Sequence, residues 1–263
     1  MNQQANLIIQ DLSWKPMKQH PPILQEISET LQAGEFYGIL GPNGSGKTSL
    51  IRHLLRTLPA ESGRIALEEK ELASYSRKEL ARKVSFVPQN TNIDTGFSVY
   101  DIVAMGRTPY LKKFTALRQE DREAIREAMA ITDCEKLKDK LFSNLSGGEK
   151  QRALIARAIA QDTPWMILDE PIASLDIKHQ IGVMETLKMR NQASGCTVIA
   201  ILHDLNLAAA YCSKIVLMKQ GKIFAAGDVK DVLTPKNLQE VYEIEFQVLW
   251  DEQEERSYFI PKR

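Results

Sequence analysis

The chain is short of three features that would each point to a particular class of protein. It has only three cysteines among 263 residues, Cys134, Cys196 and Cys212, which are odd in number and lack metal-ligand spacing. That favours buried thiols in a reducing compartment over a disulfide framework. Basic and acidic residues balance at 34 each, so the positive excess expected of a general nucleic-acid-binding protein is missing.

Long apolar segments are also missing. The longest run, residues 198–202, is far short of the ~20 residues that cross a bilayer. The first six residues lack the basic and apolar regions of a secretion signal, so we expect a cytosolic protein that works at a membrane only by docking onto another protein. The 43% of hydrophobic residues suffices for one large α/β domain or one domain with an inserted subdomain.

A glycine-rich segment is the first strong chemical signal. It follows a predicted buried strand, Phe36–Leu40, and precedes a predicted helix at residues 47–58. Strand, loop and helix are the context of a phosphate-binding loop, where backbone N–H groups and a positive helix end converge on phosphate oxygens. Lys47 is expected to reach the β- and γ-phosphates and Thr48 to bind Mg²⁺. The residues predicted to contact the nucleotide here are Gly41, Pro42, Asn43, Gly44, Ser45, Gly46, Lys47, Thr48 and Ser49.

Two adjacent acids follow a second apolar run. Asp169 and Glu170 end the predicted strand Trp165–Leu168, which places them at the carboxyl edge of a parallel sheet, where ligands bind. Asp169 suits a Mg²⁺ contact, and Glu170 suits deprotonation of an attacking water. Without a phosphate loop in the same chain, such a pair would indicate only solvated charges.

The segment Leu145-Ser146-Gly147-Gly148-Glu149 lies between the phosphate loop and the acids, at the start of a helix predicted over residues 149–160. Ser146 is a good N-terminal cap. Taken alone, the segment leaves two interpretations open: a capped helix and nothing more, or a helix N-terminus that binds an anion.

The rest of the chain alternates strands and helices except in one block. Helical patterns at residues 99–105, Gln119–Ile131 and 149–160 interrupt the alternation, which predicts an inserted helical subdomain over residues 98–160. We expect further strands at residues 7–12, 23–31, 63–67, Val84–Val87, 197–202, 215–218 and 246–249, helices at residues 177–191, 206–211 and Pro235–Tyr242, and a short hairpin after Gly221.

The order of these motifs resembles that of the ATP-binding cassette (ABC) ATPases. Over residues 7–242 it runs through the phosphate loop, a glutamine after Phe86-Val87-Pro88, the LSGGE signature, the apolar run with its two acids, Ser174-Leu175-Asp176 and His203. The resemblance implies an α/β P-loop NTPase (RecA-like) core with an N-terminal antiparallel β subdomain and an inserted α-helical subdomain. It also implies one ATPase domain over residues 5–245 and a short C-terminal extension over residues 246–263.

The resemblance assigns roles to individual side chains and implies ATP and Mg²⁺ as cofactors. An aromatic residue near the start stacks on adenine in this family, and Trp14 occupies that place although tyrosine is more usual. An indole also stacks on a base. The catalytic residues implied are Glu170, His203, Gln89 and Lys47, and the implied Mg²⁺ ligands are Thr48, Gln89 and Asp169.

The signature implies that a second copy of the chain completes the site. In the family this segment binds the γ-phosphate held by the other subunit, and the residues matching it are Ser146, Gly147, Gly148 and Glu149. Ser174, Leu175 and Asp176 match the loop along the dimer seam. Two ATP sites then form together in a two-fold dimer.

A further stretch resembles a subfamily. Met-Gly-Arg-Thr-Pro-Tyr at residues 105–110 is similar to a segment of the importer ATPases for iron-siderophores, haem and cobalamin. The resemblance implies a polytopic permease docked between Gln89 and Tyr110, an extracytoplasmic solute-binding protein, no nucleic acid, and a place at the cytoplasmic face of a bacterial membrane. Candidates for the apolar floor of the docking groove are Phe97, Val99, Tyr100, Met105 and Tyr110.

Three alternatives stay open. A soluble ABC ATPase without a permease, of the iron–sulfur assembly or DNA-repair type, is disfavoured by residues 105–110. A regulatory nucleotide-binding module without turnover is disfavoured because Glu170 and His203 are both present. The stretch from Gln89 to Tyr110 also fits an ordinary helix and loop that cover the core. The cassette does not touch the solute in this family, so its sequence does not distinguish siderophore, haem and cobalamin.

Overall fold

The computed structural model describes residues 6–17, 21–89, 96–112, 115–173, 175–254 and 256–262. Its strands are β1 Leu7–Trp14, β2 Leu24–Leu31, β3 Phe36–Leu40, β4 Ser62–Leu67, β5 Lys70–Glu71, β6 Val84–Val87, β7 Trp165–Leu168, β8 Thr197–Ile201, β9 Lys214–Lys219, β10 Lys222–Asp228, β11 Phe246–Asp251 and β12 Arg256–Pro261. Its α-helices are α1 Lys47–Leu54, α2 Arg77–Leu80, α3 Val99–Ala104, α4 Gln119–Ile131, α5 Gly147–Ala160, α6 Ile177–Ser194, α7 Leu205–Tyr211, α8 Val229–Val232 and α9 Pro235–Tyr242.

The central sheet has the strand order β10-β9-β3-β8-β7-β6. β3, β6, β7, β8 and β9 are parallel to their neighbours, and only β10 runs antiparallel, on the outer side of β9. Every residue of β3, β7 and β8 is buried, as expected for strands covered on both faces. The carboxyl ends of these parallel strands therefore lie at the same edge of the sheet. The phosphate loop follows β3, the two acids follow β7 and His203 follows β8, so all of them lie at that edge.

The two faces of this sheet support two separate hydrophobic cores. Side chains alternate between faces along a strand, and in β8 Ile199 and Ile201 enter one core whereas Val198 and Ala200 enter the other. The first core packs the sheet against α1 and a second, antiparallel sheet of order β2-β1-β4-β5. The predicted N-terminal antiparallel subdomain is thus confirmed.

The second core contains the inserted helical block. Val99 of α3, Ile125 of α4 and Ile155 of α5 are fully or almost fully buried within it, and α5 also contacts β6 of the central sheet. A 3-10 helix, Met105–Tyr110, follows α3 directly. These features confirm the α/β core with an inserted α-helical subdomain. In the part of the chain that the structure describes, no helix is long and apolar enough to cross a membrane.

Local differences from the sequence prediction have physical reasons. α1 ends at Leu54 and not at residue 58, because Arg56 adopts a left-handed conformation and the amides of Thr57 and Leu58 both turn back to Arg52 O. The sequence predicts a hairpin after Gly221. The strand that follows Gly221, β10, instead pairs with the strand before it, β9. The single strand expected at residues 246–249 is half of a second hairpin, β11–β12.

The β11–β12 hairpin is hydrogen-bonded to α7. Asn206 of α7 accepts a 2.7 Å hydrogen bond from Phe259 N and donates to Phe259 O at 3.4 Å. The Phe259 ring is buried in the second core. The last strand is therefore tied to the helix that begins two residues after His203.

Candidate functional site

The phosphate loop joins β3 to α1 and is shaped by two glycines. Gly41 has a φ of 143°, and a Cβ there would lie 2.2 Å from Met218 O, so only glycine allows the loop to pass this close to β9. Gly44 has a φ of 80°, with no heavy atom within 4 Å of the position a Cβ would take. The loop is thus pressed against the sheet on one side and open on the other, as a phosphate cradle requires.

Lys47 is held inside this loop. Its Nζ donates to Gly41 O at 2.8 Å and to Pro42 O at 3.0 Å, and the residue is only 6% exposed. Burial lowers the pKa of Lys47, and the nearby carboxylates of Glu170 and Asp169 oppose that shift. Loop carbonyls and carboxylates therefore hold a positive charge where phosphate oxygens would meet it.

Thr48 and Asp169 form an oxygen pair beside the loop. Thr48 Oγ1 donates to Asp169 Oδ1 at 3.4 Å, and Asp169 is 7% exposed. Burial and the charge of Glu170 raise the pKa of Asp169. A hydroxyl and a carboxylate fit Mg²⁺, which takes few protein oxygens and completes its shell with phosphate and water. Across the described residues, no cluster of three or more His, Cys, Asp or Glu side chains suits a metal ion on its own.

Glu170 lies between two side chains that reach it from neighbouring strands. Gln89 Nε2 donates to Glu170 Oε2 at 2.6 Å, and His203 Nε2 lies 2.7 Å from Glu170 Oε1. Each of the three residues stands two positions beyond the end of its strand, β6, β7 or β8. Glu170 also has a φ of 50°, a left-handed conformation that costs free energy and persists where the surrounding structure imposes it.

The signature segment starts α5, which begins at Gly147 and not at Glu149 as expected. Ser146 Oγ accepts from Glu149 N at 3.4 Å, and Glu149 Oε2 accepts from Ser146 N at 2.8 Å. These backbone and hydroxyl hydrogen bonds lower the pKa of Glu149. In the described parts of the chain no hydrogen bond or ion pair links Ser146 or Glu149 to the phosphate loop. The expected Ser146 cap is present, and the open space beside Gly147 leaves the helix end accessible.

Leu175, one of the residues expected at the dimer seam, lies next to that helix end. A Cβ at Gly148 would touch Leu175 and His179 at ordinary contact distance, 3.7 Å from each. Asp176 caps α6 by accepting from His179 N at 3.0 Å. Ser174 lies outside the described residues.

Trp14 ends β1, half-buried, and is paired with Leu24 of β2. It borders an open cavity of about 510 Å³, together with Lys15, Pro22 and Glu61. The start of β2 also adjoins the phosphate loop, because Leu24 would contact a Cβ on Gly46. The sequence pattern missed one neighbour of Trp14, His53, whose ring centroid is 5.4 Å away.

The stretch from Gln89 to Tyr110 is partly exposed and partly buried. Residues 90–95 lie outside the described part of the chain. Phe97 and Met105 are exposed, whereas Val99 is fully buried. The expectation that Val99 supplies part of the apolar floor of the docking groove is therefore wrong. Arg107 is also buried, and its guanidinium stacks 4.2 Å from the centre of the Tyr110 ring. Helix α3 turns Val99 inward because its apolar side packs into the core of the helical block.

The sequence model of the ABC transporter family matches residues 24–173, more than half of the chain. The chain belongs to the ABC transporter family. Relatives with similar sequences include the ferric enterobactin transport ATP-binding protein FepC of Escherichia coli K12, 38% identical over 87% of this chain and 84% of the relative. The hemin import ATP-binding protein HmuV of Thermobifida fusca is 37% identical over 86% of this chain and 79% of the relative.

Solved structures agree with this assignment. A metal-chelate type ABC transporter in an inward-facing conformation aligns with a TM-score of 0.84 and 28% identity over 98% of both chains. A dimeric ATP-binding cassette bound to ADP and phosphate aligns with a TM-score of 0.74 and 25% identity, covering 85% of this chain and 98% of the other. The predicted resemblance to ABC ATPases and to the siderophore and haem subgroup is confirmed, and the cassette binds and hydrolyses ATP.

Proposed function

We propose that the cassette energises an importer that moves an iron-siderophore, haem or a related metal chelate through a separate membrane permease. The observation that carries the catalytic part is Glu170, held 2.6 Å from Gln89 and 2.7 Å from His203 at the sheet edge beside the phosphate loop. The import assignment is supported by the relatives named for ferric enterobactin and hemin.

In this proposal, the loop amides and Lys47 bind the phosphates of ATP, and Glu170 orients the attacking water and accepts its proton. Gln89 and His203 fix the Glu170 carboxylate, and His203 also contacts the γ-phosphate. Thr48, Asp169 and Gln89 would hold Mg²⁺, which neutralises phosphate charge when bound. Trp14 stacks on the adenine.

A second copy of the chain completes each ATP site. The first turn of α5 has N–H groups that the helix itself does not bond and a positive end, and the contacts described above do not direct it at its own phosphate loop. Residues 146–149 therefore serve the γ-phosphate of the partner, and residues 174–176 line the seam. Loss of that phosphate on hydrolysis removes the bridge between copies and lets the dimer open.

The proposed permease contact lies between Gln89 and Tyr110 on the helical block, where Phe97 and Met105 supply exposed apolar surface. Helices α3 to α5 share one core, so force applied at this contact moves the block as a body. The complex includes an extracytoplasmic solute-binding protein, and the cassette sits at the cytoplasmic face of a bacterial membrane. We further propose residues 5–245 as the ATPase domain and 246–263 as an extension.

The decisive experiment compares Glu170→Gln with Glu127→Gln, a matched change at an exposed position of α4. Removing the base is expected to lower the ATPase rate about 10²–10⁴-fold, whereas the control keeps the wild-type rate. An unchanged rate in Glu170→Gln refutes the assignment of the base. Recovery of only soluble partners from a mild detergent extract favours the alternative, an ABC ATPase without a permease.

A further inference from the structure

His53, on the last turn of α1, is a buried imidazole that the catalytic site does not use. The residue is only 2% exposed. Its Nδ1 lies 2.7 Å from Ser49 O, and because a carbonyl only accepts, Nδ1 carries the hydrogen. Nε2 is then a bare acceptor in the neutral ring, and it is buried without a hydrogen-bond partner in the described structure.

Such an arrangement lowers stability. A buried acceptor without a partner has lost its hydrogen bonds to water and gained none in return. An apolar side chain at position 53 would avoid that cost. The ring of His53 contacts the Trp14 indole, at 5.4 Å between centroids and an interplanar angle of 68°. This is the edge-to-face geometry that aromatic rings prefer.

The contact joins two parts of the nucleotide site. Trp14 ends β1 in the antiparallel sheet, whereas His53 belongs to α1, whose first residue is Lys47 of the phosphate loop. The Nδ1 hydrogen bond to Ser49 O ties the imidazole to the backbone of that same helix. The orientation of the indole is thereby fixed relative to the loop that binds the phosphates.

We propose that His53 is a positioning residue that holds the Trp14 indole ready for the purine base of a nucleotide bound at the phosphate loop. The inference rests on the proposed stacking role of Trp14. Free rotation of the indole would have to be frozen when nucleotide binds, and a ring already held in place avoids that loss of affinity. His53 thus strengthens binding of the base and leaves binding of the phosphates unchanged.

The test is titration calorimetry of the full chain with Mg²⁺ and two probes, ADP and inorganic pyrophosphate. The affinity for pyrophosphate reports the phosphate contacts alone, and the difference in affinity between ADP and pyrophosphate reports the contribution of the nucleoside. His53→Ala is expected to weaken ADP binding about 3- to 10-fold, the worth of one aromatic edge contact, and to leave pyrophosphate binding within about twofold. His53→Phe keeps a ring edge against Trp14 and is expected to retain ADP affinity.

Two further variants separate the possible outcomes. Thr57→Ala changes an exposed position on the turn after α1, whose hydroxyl donates to Arg52 O, and should change neither affinity. In a Trp14→Ala background, His53→Ala should have no further effect on ADP. Equal weakening of both probes by His53→Ala means that the residue is only structural and overturns the inference.

The Trp14→Ala variant shows whether only the positioning role of His53 is refuted or also the stacking role of Trp14. If Trp14→Ala weakens ADP selectively while His53→Ala does nothing, the inference alone is refuted. If Trp14→Ala weakens ADP and pyrophosphate alike, Trp14 is not the base platform, and the stacking role and the inference fall together.

Discussion

Replacing Arg107 by alanine is expected to lower the free energy of unfolding by about 3–5 kcal/mol, the cost of removing one partner from a buried ion pair. Arg107 Nε donates to Asp121 Oδ1 at 2.9 Å, and the two side chains are only 10% and 5% exposed. Arg107 Nη1 also donates to Ala160 O at 2.8 Å. The substitution therefore leaves the buried Asp121 carboxylate with its hydrogen bond from Arg118 N but without its charged donor, and it removes the Arg107 donor from the buried Ala160 carbonyl.

The loss should depend on pH. Burial raises the pKa of Asp121, but hydrogen bonds from Arg107 and the Arg118 backbone outweigh it and hold the pKa below its ordinary value. A depressed folded-state pKa contributes stability above the unfolded value, about 4, and that contribution is lost as pH falls through the folded value. The difference in free energy of unfolding between wild type and Arg107→Ala should therefore be largest at neutral pH and decrease at acidic pH.

The assay is urea unfolding followed by circular dichroism, with Arg152→Ala as control. Arg152 Nη1 also lies 2.9 Å from a carboxylate, that of Asp133, but this carboxylate is 80% exposed. Since exposed pairs contribute little, the control should lose less than about 1 kcal/mol. Replacing both buried partners, Arg107→Met with Asp121→Leu, should restore much of the loss. If Arg107→Ala lowers the free energy of unfolding by less than about 1 kcal/mol, the conclusion that this ion pair stabilises the packing of residues 105–110 against α4 and α5 is refuted.

Three other substitutions test separate parts of the structure. Gly41→Ala forces a Cβ to 2.2 Å from Met218 O, so ADP affinity should fall about tenfold or more by calorimetry; wild-type affinity would contradict the described loop path. Asn206→Ala removes the acceptor of Phe259 N and should lower the free energy of unfolding in urea by about 1–3 kcal/mol. Proteolysis of the C-terminal hairpin should become faster than in the wild type, and an unchanged rate would contradict the role of Asn206 in holding the hairpin to α7. Because the pKa of Asp169 is raised, its ionisation costs folding free energy, and nucleotide-free stability falls as pH rises through that pKa. Asp169→Asn should thus raise the melting temperature at neutral pH by about 2–4 °C and abolish ATPase activity; a lower melting temperature would show that the charge is stabilised.

Strand ends were the most predictable part of the fold and of the candidate site. Short, wholly apolar runs such as Phe36–Leu40 and Trp165–Leu168 predicted buried strands, and polar residues directly after them had to emerge at the sheet edge. Only the first strand of the β11–β12 hairpin was predicted, because Phe259 is the one buried residue of β12 and a strand with a single buried side chain has a weak apolar pattern. His53 was missed because a single histidine within a helical pattern says nothing about which ring it will face.

The sequence by itself determined the family of this chain, because the phosphate loop, the acid pair and the signature are local patterns whose residue types and order are those of the ABC ATPases. Only the tertiary structure decided which side chains meet. Gln89, Glu170 and His203 are separated by more than 30 residues at each step, and the parallel order β6-β7-β8 brings them within hydrogen-bond distance. The same applies to Arg107, which lies in the stretch expected to dock the permease yet is buried against Asp121. Burial and pairing depend on the packing of segments distant in sequence, which no local pattern contains.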